Sequence, residues 1–240
     1  MLACIARHGQ TFRIAAALYK ESYMTSGKED YLKALYSLEE KRGTVSNKEL
    51  AELLGVSQPS VSEMLVKLQK DGYIEYTAYK GSRLTEKGRL EAVQLTRFHR
   101  LWEVFLTDCL GYSWSDAHEE AHALEHHTSL KMAQRLDEYL HHPMCCPHGS
   151  VIPKPDGRYP IMPVRPLVKM RIGEESFIRK VTEERELMDY LQELGIEIGM
   201  RVRLVKAENY EGPLTLETNQ KDIRISYKAA GLVFVDESPE

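Results

Sequence analysis

The chain has 240 residues, 42% hydrophobic and 28% charged, with a formal net charge of −4. That length accommodates two or three small domains, and the acidic balance excludes a uniformly basic nucleic-acid coat while leaving room for a local basic patch. No apolar run approaches the roughly 20 residues a membrane-spanning helix needs, residues 1–23 lack the layout of an export signal, and the four cysteines (Cys4, Cys109, Cys145, Cys146) suggest no disulfide framework. A reducing, cytoplasmic setting without membrane association is expected.

Residues 1–23 carry little pattern, and Met24-Thr25-Ser26-Gly27 reads as a natural start followed by a helix cap. The first 23 residues are therefore expected to be an extension outside the fold. From Lys28, the spacing of Tyr31, Leu32, Leu35, Tyr36 and Leu38 predicts an amphipathic helix ending near Gly43. Ser46 and Asn47 then cap a short helix over 48–54, stopped by Gly55. Ser57 as N-cap and Pro59 in the first turn open another over 59–70. Its apolar stripe is Val61, Met64, Leu65 and Leu68, which leaves Gln58, Ser60, Ser62, Glu63 and Lys67 facing outward.

Residues 73–76 and 83–85, joined by a turn containing Lys80 and Gly81, read as a hairpin. Three helices followed by a hairpin is the winged helix-turn-helix order. The predicted DNA-contacting set is Ser57, Gln58, Pro59, Ser60 and Ser62 at the start of the second helix of the motif. Lys67, Lys80 and Arg83 lie within reach of the phosphate backbone. A helical domain with an idle surface hairpin is the plainer alternative.

A long helix capped by Thr85 is expected to run to about Cys109, carrying His99 and Glu103 at i, i+4. After a break at Leu110-Gly111-Tyr112-Ser113, with Ser115 as cap, a single helix is expected over 116–141. At about 100° per residue, His118, His122, Glu125 and His126 fall on one of its faces, a mixed N/O donor strip suited to a divalent cation. Each of these residues could instead belong to a core or a solvated face; their joint spacing favours the metal. The following loop holds a Cys-x-His pair, Cys146 and His148. Residues 151–166 contain five prolines and read as an extended linker. Beyond it, short strands and one helix over 183–194 suggest a five-stranded small barrel.

His118-Glu119-Glu120-Ala121-His122 also spells H-E-x-x-H, the zinc-protease signature, with Glu119 as its general base. That reading leaves Asp30, His99, Glu125 and His126 without a role, and no enzyme activity is expected. The sequence resembles instead the diphtheria-toxin-repressor family of metal-dependent transcriptional repressors, in particular its manganese-responsive branch. The motifs that carry the resemblance are Glu29-Asp30-Tyr31-Leu32, Ser57-Gln58-Pro59-Ser60-Val61-Ser62, Leu84-Thr85-Glu86-Lys87-Gly88, Phe98-His99-Arg100-Leu101 with Glu103, the 120–126 segment and Cys146-Pro147-His148-Gly149. The last 70 or so residues look like the FeoA-type, SH3-like domain that ends many members.

The resemblance implies a mainly α chain with a β C-terminal domain. Its parts are a winged helix-turn-helix (24–90), a helical metal-binding and dimerisation domain (91–150), a Pro-rich linker (151–166) and an SH3-like domain (167–240). It implies a primary metal position made by Asp30, His99, His122, Glu125 and His126, with His122 standing where members commonly have a carboxylate or cysteine. It implies a second position made by Glu103, Cys146 and His148 with a carboxylate of the terminal domain, Glu184 in first place and Glu183 in reserve. His118 matches an ancillary ligand of the iron branch and is expected to be a bystander. Asp30 follows the manganese pattern, so the implied corepressor is Mn2+, alternatively Fe2+, acting on a homodimer that binds double-stranded operator DNA and controls metal-ion uptake genes.

Overall fold

The structure, a computed structural model, describes residues 24–77, 80–158 and 162–237; the extension expected over 1–23 lies outside the described residues. The chain forms two compact units, one from residues up to 98 with a short return segment from 153, the other from 99–152 with the chain beyond the linker.

In the first unit, α1 (Ser26–Arg42) ends at Gly43, whose φ of 82° suits a residue without Cβ. α2 (Asn47–Leu54) opens with a reciprocal capping box, the Ser46 hydroxyl accepting from the Glu49 N–H and the Glu49 carboxylate accepting from the Ser46 N–H. α3 (Gln58–Lys70) is capped by Ser57 and carries Pro59 in its first turn. Strands β1 (Ile74–Thr77) and β2 (Gly81–Leu84) pair antiparallel, Ile74 opposite Leu84 and Thr77 opposite Gly81. Val45 bridges to Ser82 through two backbone hydrogen bonds, which ties the wing to the segment between α1 and α2. Leu32, Leu35, Leu50, Val61, Leu65, Leu68 and Ile74 fill the core.

Helix α4 (Glu86–Val104) begins in this unit, its N-terminus capped by the Thr85 hydroxyl, and continues into the second unit. It closes in a π-helical turn, Phe105–Cys109. Where one helix was expected over 116–141 there are two, α5 (Trp114–Glu125) and α6 (Leu130–Tyr139). The break has a local cause: the Thr128 hydroxyl donates to the Leu124 carbonyl, and Ser129 caps α6 by accepting from the Met132 N–H. The cap of α5 is Ser113, whose hydroxyl accepts from the Asp116 N–H, and not Ser115.

Among the described residues the C-terminal part holds six strands where five are expected: β3 (Val164–Pro166), β4 (Glu175–Val181), β5 (Arg201–Ala207), β6 (Leu214–Glu217), β7 (Asp222–Ile225) and β8 (Val233–Asp236). They pair antiparallel in the order β3-β8-β4-β5-β6-β7. The extra strand, β3, falls inside the stretch read as linker; it is an edge strand, where proline is tolerated. α7 (Arg185–Leu194) and the short α8 (Tyr227–Ala230) complete the domain, and Leu167, Ile178, Leu191, Val202, Leu216 and Val235 form its core with Trp114 of α5. The domain is held to α5 by polar contacts as well. Ser115 donates to Asp189 at 2.5 Å, the Trp114 N–H donates to the Gln192 side chain at 3.0 Å, and Arg185 pairs with Glu119.

Candidate metal centre and nucleic-acid interface

Two buried carboxylates organise the second unit. Glu125, at the end of α5, is 1% exposed. Its Oε2 lies 2.7 Å from His99 Nδ1, and its Oε1 lies 3.3 Å from His122 Nδ1 and 3.7 Å from His126 Nε2. His99 comes from α4, His122 stands one turn before Glu125, and His126 is the C-cap of α5, so the helix break after it sets its ring beside the carboxylate. One carboxylate and three imidazoles match the N/O donor set that divalent Mn, Fe, Co or Zn accept. Asp30, half-buried, stands on α1 in the first unit.

Glu103 is fully buried one helical turn beyond His99. Its Oε1 lies 2.7 Å from His118 Nδ1, 2.9 Å from His99 Nε2 and 3.3 Å from His148 Nδ1. Burial acts to push this carboxyl up, but the charge of His99 and hydrogen bonds from His118, His148 and His99 outweigh it and hold the group well below the usual carboxylate range.

The ligand atoms of Glu103, Cys146, His148 and Glu183 lie within 4.8 Å of one another. The Cys146 sulfur is 3.8 Å from His148 Nδ1, and Glu183 accepts a hydrogen bond from the Ser150 hydroxyl at 2.9 Å. The carboxylate brought here is Glu183 and not Glu184. Glu184 is the exposed N-cap of α7, one residue on, where the extended backbone turns its side chain to the other side. Burial, reinforced by the charges of Glu103 and Glu183, raises the Cys146 thiol well above its ordinary value. For His148 burial favours the neutral ring, yet the hydrogen bond and charge of Glu103, with Glu183, raise its pKa. Burial and Glu103 push Glu183 up; Arg100, His148 and His99 together pull it below its ordinary value. A bound divalent cation would be a stronger positive partner for these carboxylates than the histidines are, and would deprotonate the thiol.

His118, expected as a bystander, joins His99 and Glu103 in a third set of mutually close ligand atoms. The signal was present in the sequence, since His118 stands four residues before His122 on the same strip. This placement also separates the two histidines of H-E-x-x-H: His118 turns to Glu103 and His122 to Glu125. Glu119, the would-be general base, is exposed and paired with Arg185. The protease geometry is therefore absent from this segment.

In the first unit the face of α3 opposite its core is open. Ser57, Gln58, Pro59, Ser60 and Lys67 are exposed, as are Lys80 and Arg83 on the wing. The Ser57 and Ser60 hydroxyls bond each other at 2.8 Å, and Lys67 pairs with Glu63. Ser62 is turned partly inward, accepting from the Asn47 amide and donating to the Gln58 carbonyl. Arg83 is steadied by a 2.8 Å bond from its Nε to the Thr44 hydroxyl.

A winged helix-turn-helix unit joined to a helical unit rich in buried metal-ligand side chains defines a class of metal-responsive regulators. Three family models match: the iron-dependent repressor N-terminal DNA-binding domain over residues 23–82, the iron-dependent repressor metal-binding and dimerisation domain over 85–154, and the FeoA domain over 165–237. The iron-dependent repressor IdeR of Mycobacterium tuberculosis is 38% identical over 125 residues, 52% of this chain; the chain spans only 54% of that protein's length. The diphtheria toxin repressor of Corynebacterium diphtheriae is 29% identical over 222 residues, 87% of this chain and 96% of that protein. A manganese-dependent transcriptional repressor in complex with manganese superposes with a TM-score of 0.80 at 31% identity, covering 88% of this chain and all of that one. The chain belongs to the iron-dependent repressor family, that of the diphtheria toxin repressor. The matching domains are those of transcriptional repressors and not of enzymes. Among the described residues no helix is long and apolar enough to cross a membrane.

Proposed function

We propose that this protein is a metal-dependent DNA-binding repressor, a homodimer with Mn2+ as corepressor, that binds operator DNA and controls metal-ion uptake genes. The observation that carries the reading is the Glu125 carboxylate, buried and facing His99, His122 and His126 in a chain that also presents an open α3 face. The primary ligand set adds Asp30 of α1, as the resemblance implies, and the second position uses Glu103, Cys146, His148 and Glu183. Asp30 is the residue through which metal binding restrains α1 and so the helix-turn-helix that packs on it. A ligand that favours one arrangement raises the binding-competent fraction only by its differential affinity. In a two-fold dimer that arrangement sets the distance between recognition helices, to be matched to half-sites roughly 34 Å apart.

Manganese is favoured by an Asp at position 30 and by the absence of a thiolate among the primary ligands. Fe2+ is the second reading, favoured by His118 beside His99 and Glu103. Fluorescence anisotropy with operator duplex, titrated separately with Mn2+, anaerobic Fe2+ and Zn2+, tests the function and ranks the metals. Retention of DNA at equal affinity in chelator overturns metal dependence. Asp30→Ala binding operator at wild-type Mn2+ concentrations overturns the role given to α1.

A further inference from the structure

Helix α3 buries Val61, Leu65 and Leu68. At about 100° per residue, Glu63 stands nearly opposite that stripe, near the centre of the solvent face, with Lys70 nearly in line with it, Pro59 and Val66 to one side and Lys67 and Ser60 to the other. It is the single acidic residue in the sequence of α3. Its side chain is 72% exposed, and its Oε1 lies 2.8 Å from Lys67 Nζ, one turn on.

A carboxylate at the centre of a DNA-facing helix is costly beside phosphates, so it needs a purpose or a screen. Lys67 supplies the screen. The surroundings supply the purpose: Val66 on the same face is 56% exposed and has nothing to offer a phosphate, whereas an apolar side chain can meet a thymine methyl group. That face thus carries a side chain suited to base edges beside lysines suited to phosphates. An ionised carboxylate only accepts hydrogen bonds. In the major groove cytosine presents a donor, its N4 amino group, whereas the donor of adenine is paired with the N7 acceptor and guanine offers acceptors alone.

We infer that Glu63 is a specificity-determining residue that selects cytosine in each half-site by accepting a hydrogen bond from its N4 amino group, with Lys67 offsetting its charge toward the phosphates. The inference rests on the DNA-binding function proposed above. It is tested by selecting duplexes from a randomised pool with the Mn2+-loaded full-length protein and with its Glu63→Gln and Glu63→Ala variants. The wild type is expected to enrich cytosine at one symmetry-related position of each half-site. Glu63→Gln, whose amide can both donate and accept, is expected to exchange that preference for adenine, with discrimination changing on the order of ten- to a hundred-fold. Glu63→Ala is expected to lose preference there and keep every other position. If all three proteins select one consensus and the variants merely bind every duplex more tightly, Glu63 is a surface ion-pair residue and the inference is overturned while DNA binding stands. A wild-type protein that enriches no sequence overturns the DNA-binding reading itself, and the inference falls with it.

Discussion

His148 donates its Nε2–H to the main-chain carbonyl of Trp114 across 3.3 Å, leaving Nδ1 as the atom that faces Glu103 and Cys146. A carbonyl only accepts, so this contact fixes the proton on Nε2 and presents the ring as an Nδ1 ligand. Trp114 is also the first residue of α5, and its ring is part of the core of the C-terminal domain. The contact that orients a candidate ligand is therefore part of the packing that docks the sheet domain on α5.

From this follows an expectation for His148→Gln. The amide cannot keep both the bond to the Trp114 carbonyl and the imidazole nitrogen beside Glu103. Cation affinity at the second cluster is expected to fall by at least the 10- to 100-fold that disturbed ligand orientation costs, with the Glu125 cluster unaffected. Equilibrium dialysis with elemental analysis, at the lowest free Mn2+ concentration that fills both positions of the wild type, should show Mn2+ per chain dropping from two to one. An unchanged stoichiometry would remove His148 from the ligand set.

Neighbouring glutamates give a sharper comparison. Glu183 accepts from Ser150 and stands with Glu103, Cys146 and His148, whereas Glu184 is exposed and makes no side-chain cap. Glu183→Ala is expected to lose the second cation. Glu184→Ala should retain it and change stability by no more than about 0.5 kcal/mol. The reverse pattern in the same dialysis experiment would reassign the ligand.

Gly149 closes the loop that carries Cys146 and His148, its N–H donating to the Cys146 carbonyl at 2.9 Å. Its φ is 82°, and a Cβ there would stand 1.8 Å from the Arg179 carbonyl oxygen on β4. Because the obstacle is strand backbone, the loop itself must move. Gly149→Ala is expected to destabilise the protein by about 2–4 kcal/mol and to empty the second cluster, read as a shift in urea midpoint together with metal content. A variant of wild-type stability would mean that this approach of loop to strand is not maintained in solution.

Much of this was legible in the sequence because the signals are local. Ser46 with Glu49, Ser57 ahead of Pro59 and Gly55 after Leu54 each mark an end within a turn of the residue they cap. The break after His126 is poorly marked, because no Gly or Pro interrupts His126-His127-Thr128-Ser129 and its cue is Ser129 as an N-cap. Strand β3 was hidden by the prolines of its own stretch, which an edge position tolerates. The choice between Glu183 and Glu184 turns on one residue of register, and only the junction of β4 with α7 decides which carboxylate points to Cys146. The place of His118 is hidden for a related reason, since its partners His99 and Glu103 belong to another helix.

The pH dependence of the first unit is expected to follow Glu91, a half-buried residue of α4. Burial, with the negative charge of Glu29 adding and Lys87 opposing, pushes its carboxyl up to about 7. In the unfolded chain the group titrates near its ordinary value of about 4.3. Between those values the folded state holds the proton and the unfolded state has released it, so stability falls as pH rises, and the loss is complete above about 7. Allowing for solvent screening of a partly exposed group, the cost at pH 8 is about 1–2 kcal/mol. Glu91→Gln cannot ionise and escapes this cost. Urea unfolding of the metal-free protein, followed by circular dichroism, should find the variant more stable than wild type by that amount at pH 8. At pH 4 the two should nearly match, since wild-type Glu91 is then protonated in both states. An equal difference at the two pH values would show that Glu91 does not ionise across this range in the folded protein.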